Sequence, residues 1–139
     1  MIHSVNDRKV KEILAFLAPD FGFPAIHKEE GFKELCETAC QGAYVSTGLF
    51  VMPDMLLRPM YHKEQAELLG YSPEQAYQEW VEFIIIFCAT ILFLIENDPE
   101  SLNKWLNGLA KTSALGSKQV RKRINTLRHY VSSYKRNDK

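Results

Sequence analysis

The chain has 139 residues, of which 46% are hydrophobic and 24% charged, with 17 basic side chains against 17 acidic ones. That size and composition fit one globular domain spanning 1–139, and a net charge of zero excludes a uniformly basic nucleic-acid binder. No signal-peptide pattern opens the chain, and three cysteines, an odd number, fit a reducing cytoplasmic compartment better than a disulfide framework.

Val10, Ile13, Leu14 and Leu17 recur at helical spacing. They predict a first helix from about Val5 or Asn6 to Leu17, capped by Ser4 or Asn6 and ended by Pro19. Asp20 to Pro24 then reads as a loop that pins Phe21 and Phe23.

A second helix is predicted from about Lys28 to Thr47. Its first half is acidic, with Glu29, Glu30, Glu34 and Glu37. Cys36, Ala39, Cys40, Ala43 and Thr47 form a stripe of small side chains, with Gly42 beside it, where another helix can approach closely. The bulky segment 83–95 is the natural partner.

Leu49 to Tyr61 contains Pro53 and Pro59, which exclude one long helix and predict a bent connector over the core. Met52, Met55, Arg58 and Met60 would also give it an adaptable binding surface. A short helix from His62 to Leu69 is closed by Gly70.

Ser72-Pro73-Glu74-Gln75 supplies an N-cap serine, a proline at the first helical position and a glutamine placed for a capping box. The helix it starts runs to about Glu96, before Asn97-Asp98-Pro99. Its uninterrupted apolar stretch, Phe83 to Ile95, is 13 residues. A bilayer needs roughly 20, so the expectation is a core helix buried on every side and no membrane contact.

Asp98 caps a further helix, Pro99 to about Thr112, with Leu102, Trp105, Leu106 and Leu109 on one face. The last helix, Lys118 to about Tyr134, carries an apolar stripe of Val120, Ile124, Leu127, Val131 and Tyr134. The predicted fold class is all-α: about six helices in one bundle around the central helix, about 73–96.

The zero net charge hides a split. Residues 1–110 hold eight Lys/Arg against sixteen Asp/Glu, whereas residues 111–139 hold nine against one. Lys118, Arg121, Lys122, Arg128 and Lys135 make the last helix basic. Two outcomes follow from such asymmetry: the basic helix meets an anionic partner, or it packs on the acidic body and the two fields cancel.

Glycine-rich phosphate loops, nucleophile elbows, paired zinc ligands and Glu-x-x-His pairs are absent from the sequence. Cys36 and Cys40 lack a second close Cys or His pair, so no metal and no cofactor are expected. Arg123 and His129, separated by five residues, resemble the Arg-x(4–6)-His signature of HEPN-type ribonucleases, which are small helical bundles. The resemblance implies that Arg123 stabilises phosphate charge and His129 transfers protons at an RNA phosphodiester, commonly across a homodimer.

With no other catalytic pattern, the leading expectation is a non-enzymatic binding protein that neutralises or regulates a protein partner. Immunity proteins and phage-encoded inhibitors are built on this scale. The partner-binding surfaces would be Glu29, Glu30, Glu34, Glu37 and the segment Met52 to Met60. The alternative is a nucleic-acid binder or HEPN-like ribonuclease using the basic last helix.

Overall fold

The computed structural model describes residues 5–42, 45–57, 67–112 and 118–137. Six α-helices pack together, with no strand among the described residues. They are α1 (Asp7–Phe21), α2 (Phe32–Cys40), α3 (Val45–Leu57), α4 (Pro73–Asn97), α5 (Pro99–Thr112) and α6 (Lys118–Asn137). A 3-10 turn, Ile26–Lys28, lies between α1 and α2.

The central helix α4 starts where its cap predicts. The Gln75 N–H donates to Ser72 Oγ at 3.2 Å, and the Ser72 N–H donates to Gln75 Oε1 at 3.1 Å. Helices α1, α2, α3 and α5 all pack on α4, while α6 lies against α1 and α5 and also touches α3. Seven consecutive residues, Ile84 to Thr90, are buried, as are Ile91, Leu92, Leu94 and Ile95. Phe21 and Phe23 are pinned as expected, with ring centroids 5.8 and 6.4 Å from that of Phe87. By length and composition α4 could cross a membrane, but 67% of its most apolar 18-residue window is buried inside the bundle. Burial on every side is not complete along the apolar run, because Phe83 is 37% exposed and Phe93 is only half-buried.

Two prolines sit inside helices that the sequence reading ended or bent at them. Helix α1 continues through Pro19 to Phe21, and α3 runs through Pro53 to Leu57. Each proline withdraws a donor from the carbonyl four residues earlier. Those residues, Ala15 and Leu49, lie on exposed faces, where water can take the donor's place. An interior proline costs about 3 kcal/mol. Burial of Met52, Met55 and Leu56 on α3, at roughly 1.5–3 kcal/mol each, offsets that cost. Helix α1 ends instead at Gly22, whose φ of 72° lets its N–H and that of Phe23 both donate to the Ala18 carbonyl.

The predicted second helix is three pieces. Gly31, at φ 78°, separates the 3-10 turn from α2, and the chain turns again at Gln41-Gly42. The last predicted turn of that helix belongs to α3. Close approach to α4 does occur, but through Gly48 rather than Gly42. A Cβ on Gly48 would collide with Thr90, whereas one on Gly42 meets nothing within 4 Å. The expected helix from His62 lies outside the described residues except for its end. There Gly70, at φ 83°, donates its N–H to the Glu67 carbonyl at 3.1 Å.

Helices α5 and α6 match their patterns. Asp98 Oδ1 accepts from the Ser101 N–H at 3.3 Å, and Leu102 and Leu106 are buried. Along α6, Val120, Ile124, Leu127 and Val131 are buried and Tyr134 is half-buried.

Candidate functional site

Charge is distributed helix by helix, and the distribution locates the surfaces. Helix α6 carries seven Lys/Arg and no acid. Helix α1 balances three bases with three acids, and α5 has two bases and one acid. Together α1, α5 and α6 sum to +8, and the rest of the chain to −8. Helix α4 alone holds four glutamates and no base. The basic last helix therefore does not lie on the acidic part of the molecule. It packs mainly on α1 and α5, which are close to neutral, and meets acidic α4 at Glu96 near its end.

Two polar clusters fasten α6 to its neighbours. Near its start, the Thr126 hydroxyl donates to Asp20 Oδ2 at 2.5 Å, and Lys122 Nζ lies 3.4 Å from Asp20 Oδ1. These contacts, the threonine bond first, hold the Asp20 carboxyl below its usual range. Near its end, Lys9 Nζ donates to Tyr134 Oη at 2.6 Å and to Glu96 Oε1 at 3.2 Å. The Tyr134 hydroxyl donates to Glu96 Oε1 at 2.7 Å. Helix α6 thus runs antiparallel to α1, with residue 126 beside 20 and 134 beside 9.

The opposite side of α6 is open to solvent. Lys118, Arg121, Lys122, Asn125 and His129 line it, with Thr126 at its edge. Among the described residues, no carboxylate pairs with Lys118 or Arg121. Arg128 points to the side instead and donates through Nη2 to Asn107 Oδ1 on α5. The Lys135 side chain lies outside the described set.

Arg123 and His129 do not share a surface of this chain. Six residues along a helix place side chains about 120° apart. Arg123 is 7% exposed, with its Nε atom lacking a partner, and His129 faces solvent. Burial lowers the pKa of Arg123. The sequence places Arg123 next to the core residue Ile124, which is the signal that it could be drawn inward.

The acidic surfaces are two. Glu29, Glu30, Glu34 and Glu37 are all exposed on α2 and its approach, interleaved with Lys28 and Lys33. The sequence reading missed the second as a surface. On the first half of α4, Glu74, Gln75, Gln78, Glu79 and Glu82 share one side and end at the partly exposed ring of Phe83. The opposite side buries Val81 and Ile84 and half-buries Trp80. Its signal in the sequence is the run of Glu and Gln at helical spacing between Glu74 and Glu82.

In the methionine segment, the two described methionines take the buried-connector role and are not presented to a partner. Met52 and Met55 are 0% and 4% exposed and belong to the core. Their turn of α3 faces α4, so the apolar side chains that would have adapted to a partner are spent on the bundle itself. Arg58 and Met60 lie outside the described residues.

The cysteines are buried thiols. Cys36 is pushed up to about 12 and Cys40 to about 11, and Cys88 is also raised, each chiefly by burial. Thiolate chemistry is suppressed at all three. Among the described residues no group of His, Cys, Asp and Glu has the arrangement of a metal site. His27, in the 3-10 turn, is buried with Nδ1 unpartnered. No family model, curated protein or solved structure matches this chain at a significant level.

Proposed function

We propose that this chain is a non-enzymatic binding protein of the cytoplasm that neutralises or regulates a protein partner, in the manner of an immunity protein or a phage-encoded inhibitor. The observation that supports this reading is the first half of α4. There glutamates with no base on the helix run up to an exposed edge of Phe83. An aromatic edge beside a polar, charged stripe suits a protein-binding patch. Its complement is a partner surface with Lys or Arg around a small apolar hollow. A basic active-site cleft has that chemistry, and the glutamates would occupy it as phosphates do.

The test is affinity capture from the native cell at low and moderate salt, followed by binding of the captured protein to variants. Glu79→Lys with Glu82→Lys should lower affinity at least about tenfold, largely through slower association. The triple reversal Glu30→Lys, Glu34→Lys, Glu37→Lys reports on the other acidic surface. A stoichiometric partner whose affinity ignores both sets of reversals contradicts the proposal.

A further inference from the structure

Helix α6 offers a second kind of surface. Among the described side chains, every exposed one on it is a cation, an amide, an imidazole or a hydroxyl: Lys118, Arg121, Lys122, Asn125 and His129, with Gln119, Ser132 and Ser133. No apolar side chain interrupts this face. A stable protein interface needs an apolar centre, which the α4 face has and the α6 face lacks. A phosphate backbone needs none. It is held by lysine, arginine, asparagine and serine, and its high linear charge density rewards cations that displace condensed counterions.

The surroundings favour the same ligand. The flanking helices α1 and α5 are neutral and +1, so a polyanion lying along α6 meets no repelling field from them. Asp20, a carboxylate at the edge of the face, is held by Thr126 and Lys122. The stripe from Lys118 to His129 covers twelve residues, an axial length of roughly 16 Å at 1.5 Å per step. That length spans two or three phosphates of a single strand.

We infer that the solvent face of α6 binds the phosphate backbone of nucleic acid without reading its sequence. This goes beyond the protein-binding role proposed for α4 and does not depend on it, because the two surfaces share no residue.

Fluorescence anisotropy of the whole purified chain with a labelled 20-nucleotide RNA and a 20-base-pair DNA tests the inference. At about 50 mM salt, binding should fall in the micromolar range usual for non-specific contacts, roughly 1–100 µM. Affinity should drop with log salt at a slope of roughly −1.5 to −2.5, as expected for two or three phosphate contacts. Lys118→Gln with Arg121→Gln should cut the slope by about two contacts, and Lys118→Arg with Arg121→Lys should restore it. Glu67→Gln, at an exposed acid outside both proposed surfaces, should leave binding unchanged within about twofold. Polyglutamate at equal charge should compete at least about ten times less effectively than unlabelled RNA. Absence of binding, or binding indifferent to Lys118→Gln with Arg121→Gln, overturns the inference. Equal competition by polyglutamate also overturns it and assigns the face to acidic protein.

Discussion

Gly48 on α3 rests against the side chain of Thr90 at the middle of α4, with no room for a methyl group between them. A Cβ built on Gly48 would lie 2.7 Å from both Cβ and Cγ2 of Thr90 and closer still to its hydroxyl. Thr90 is fully buried, and its hydroxyl donates to the Ile86 carbonyl at 2.7 Å, so its polar atom is satisfied within its own helix. The pair sets how near α3 can come to the core helix. Gly48→Ala should destabilise the bundle by roughly 1–3 kcal/mol through overpacking, read as a lower urea midpoint at unchanged slope. Gly42→Ala should stay within about 0.5 kcal/mol of wild type, since open space surrounds Gly42. Similar losses at both positions would contradict this packing.

His27 should make the fold acid-sensitive near neutrality. Burial first, then the nearby charges of Lys28 and Lys11, hold its pKa below the usual histidine value. Below about pH 6.5 the unfolded chain takes up this proton while the folded chain resists it, so stability falls as pH falls through that window. His27→Leu should remove this part of the decline. The difference in urea midpoint between about pH 7.5 and pH 5.5 should shrink in the variant. An undiminished difference would show that His27 is not the group responsible.

The Lys9–Tyr134–Glu96 cluster works at the two ends of the pH scale. Hydrogen bonds, that of Tyr134 first, raise Lys9 and lower Glu96. The raised lysine contributes fully below its unfolded value near 10.5, and the contribution fades as pH rises past the folded value. The lowered glutamate contributes above about 4.5 and fades as pH falls below it. Lys9 and Glu96 side chains are 37% and 45% exposed, so solvent screens the pair and Tyr134→Phe should cost only about 1 kcal/mol or less near neutral pH. A larger loss would mean that the ring position, rather than the hydroxyl, has changed. Near-ultraviolet circular dichroism distinguishes the two.

Arg123 is a buried cation whose Nε lacks a partner. Replacing such a group with a flexible apolar side chain of similar length is often neutral or stabilising. Arg123→Met should therefore leave the urea midpoint unchanged or raise it, whereas Arg123→Ala should lower it by opening a cavity. In the same preparations, RNA incubated with the wild type should remain intact. Cleavage that His129→Ala or Arg123→Met abolishes would instead support the ribonuclease resemblance.

Periodicity and capping made most helices legible before any coordinates. The Ser72 to Gln75 capping box, the Asp98 cap and the α6 stripe each place an element through local chemistry, and each appears in the fold. Pro19 and Pro53 were misleading because their cost is local while the compensating burial of Phe21, Met52 and Met55 is tertiary. The small-residue stripe pointed to close packing on α4 but to the wrong glycine, since Gly48 becomes the contact only once the chain turns at Gln41-Gly42. Total charge could not show that α6 packs mainly on the near-neutral α1 and α5. That depended on which helices neighbour it, and contact order between helices is not written in periodicity. Arg123 was unreadable for a related reason: its position lies at the margin of the apolar stripe, where the neighbouring helix decides between solvent and core.

The central claim is that the Glu74 to Phe83 face of α4 contacts a protein partner, and site-specific photocrosslinking in the native cell tests it most directly. A photoreactive amino acid at Glu79 should give one discrete protein adduct, while the same group at Ser132 on α6 should give none with that protein. Absence of an adduct from Glu79, or the same protein crosslinked equally well from Ser132, would contradict the account.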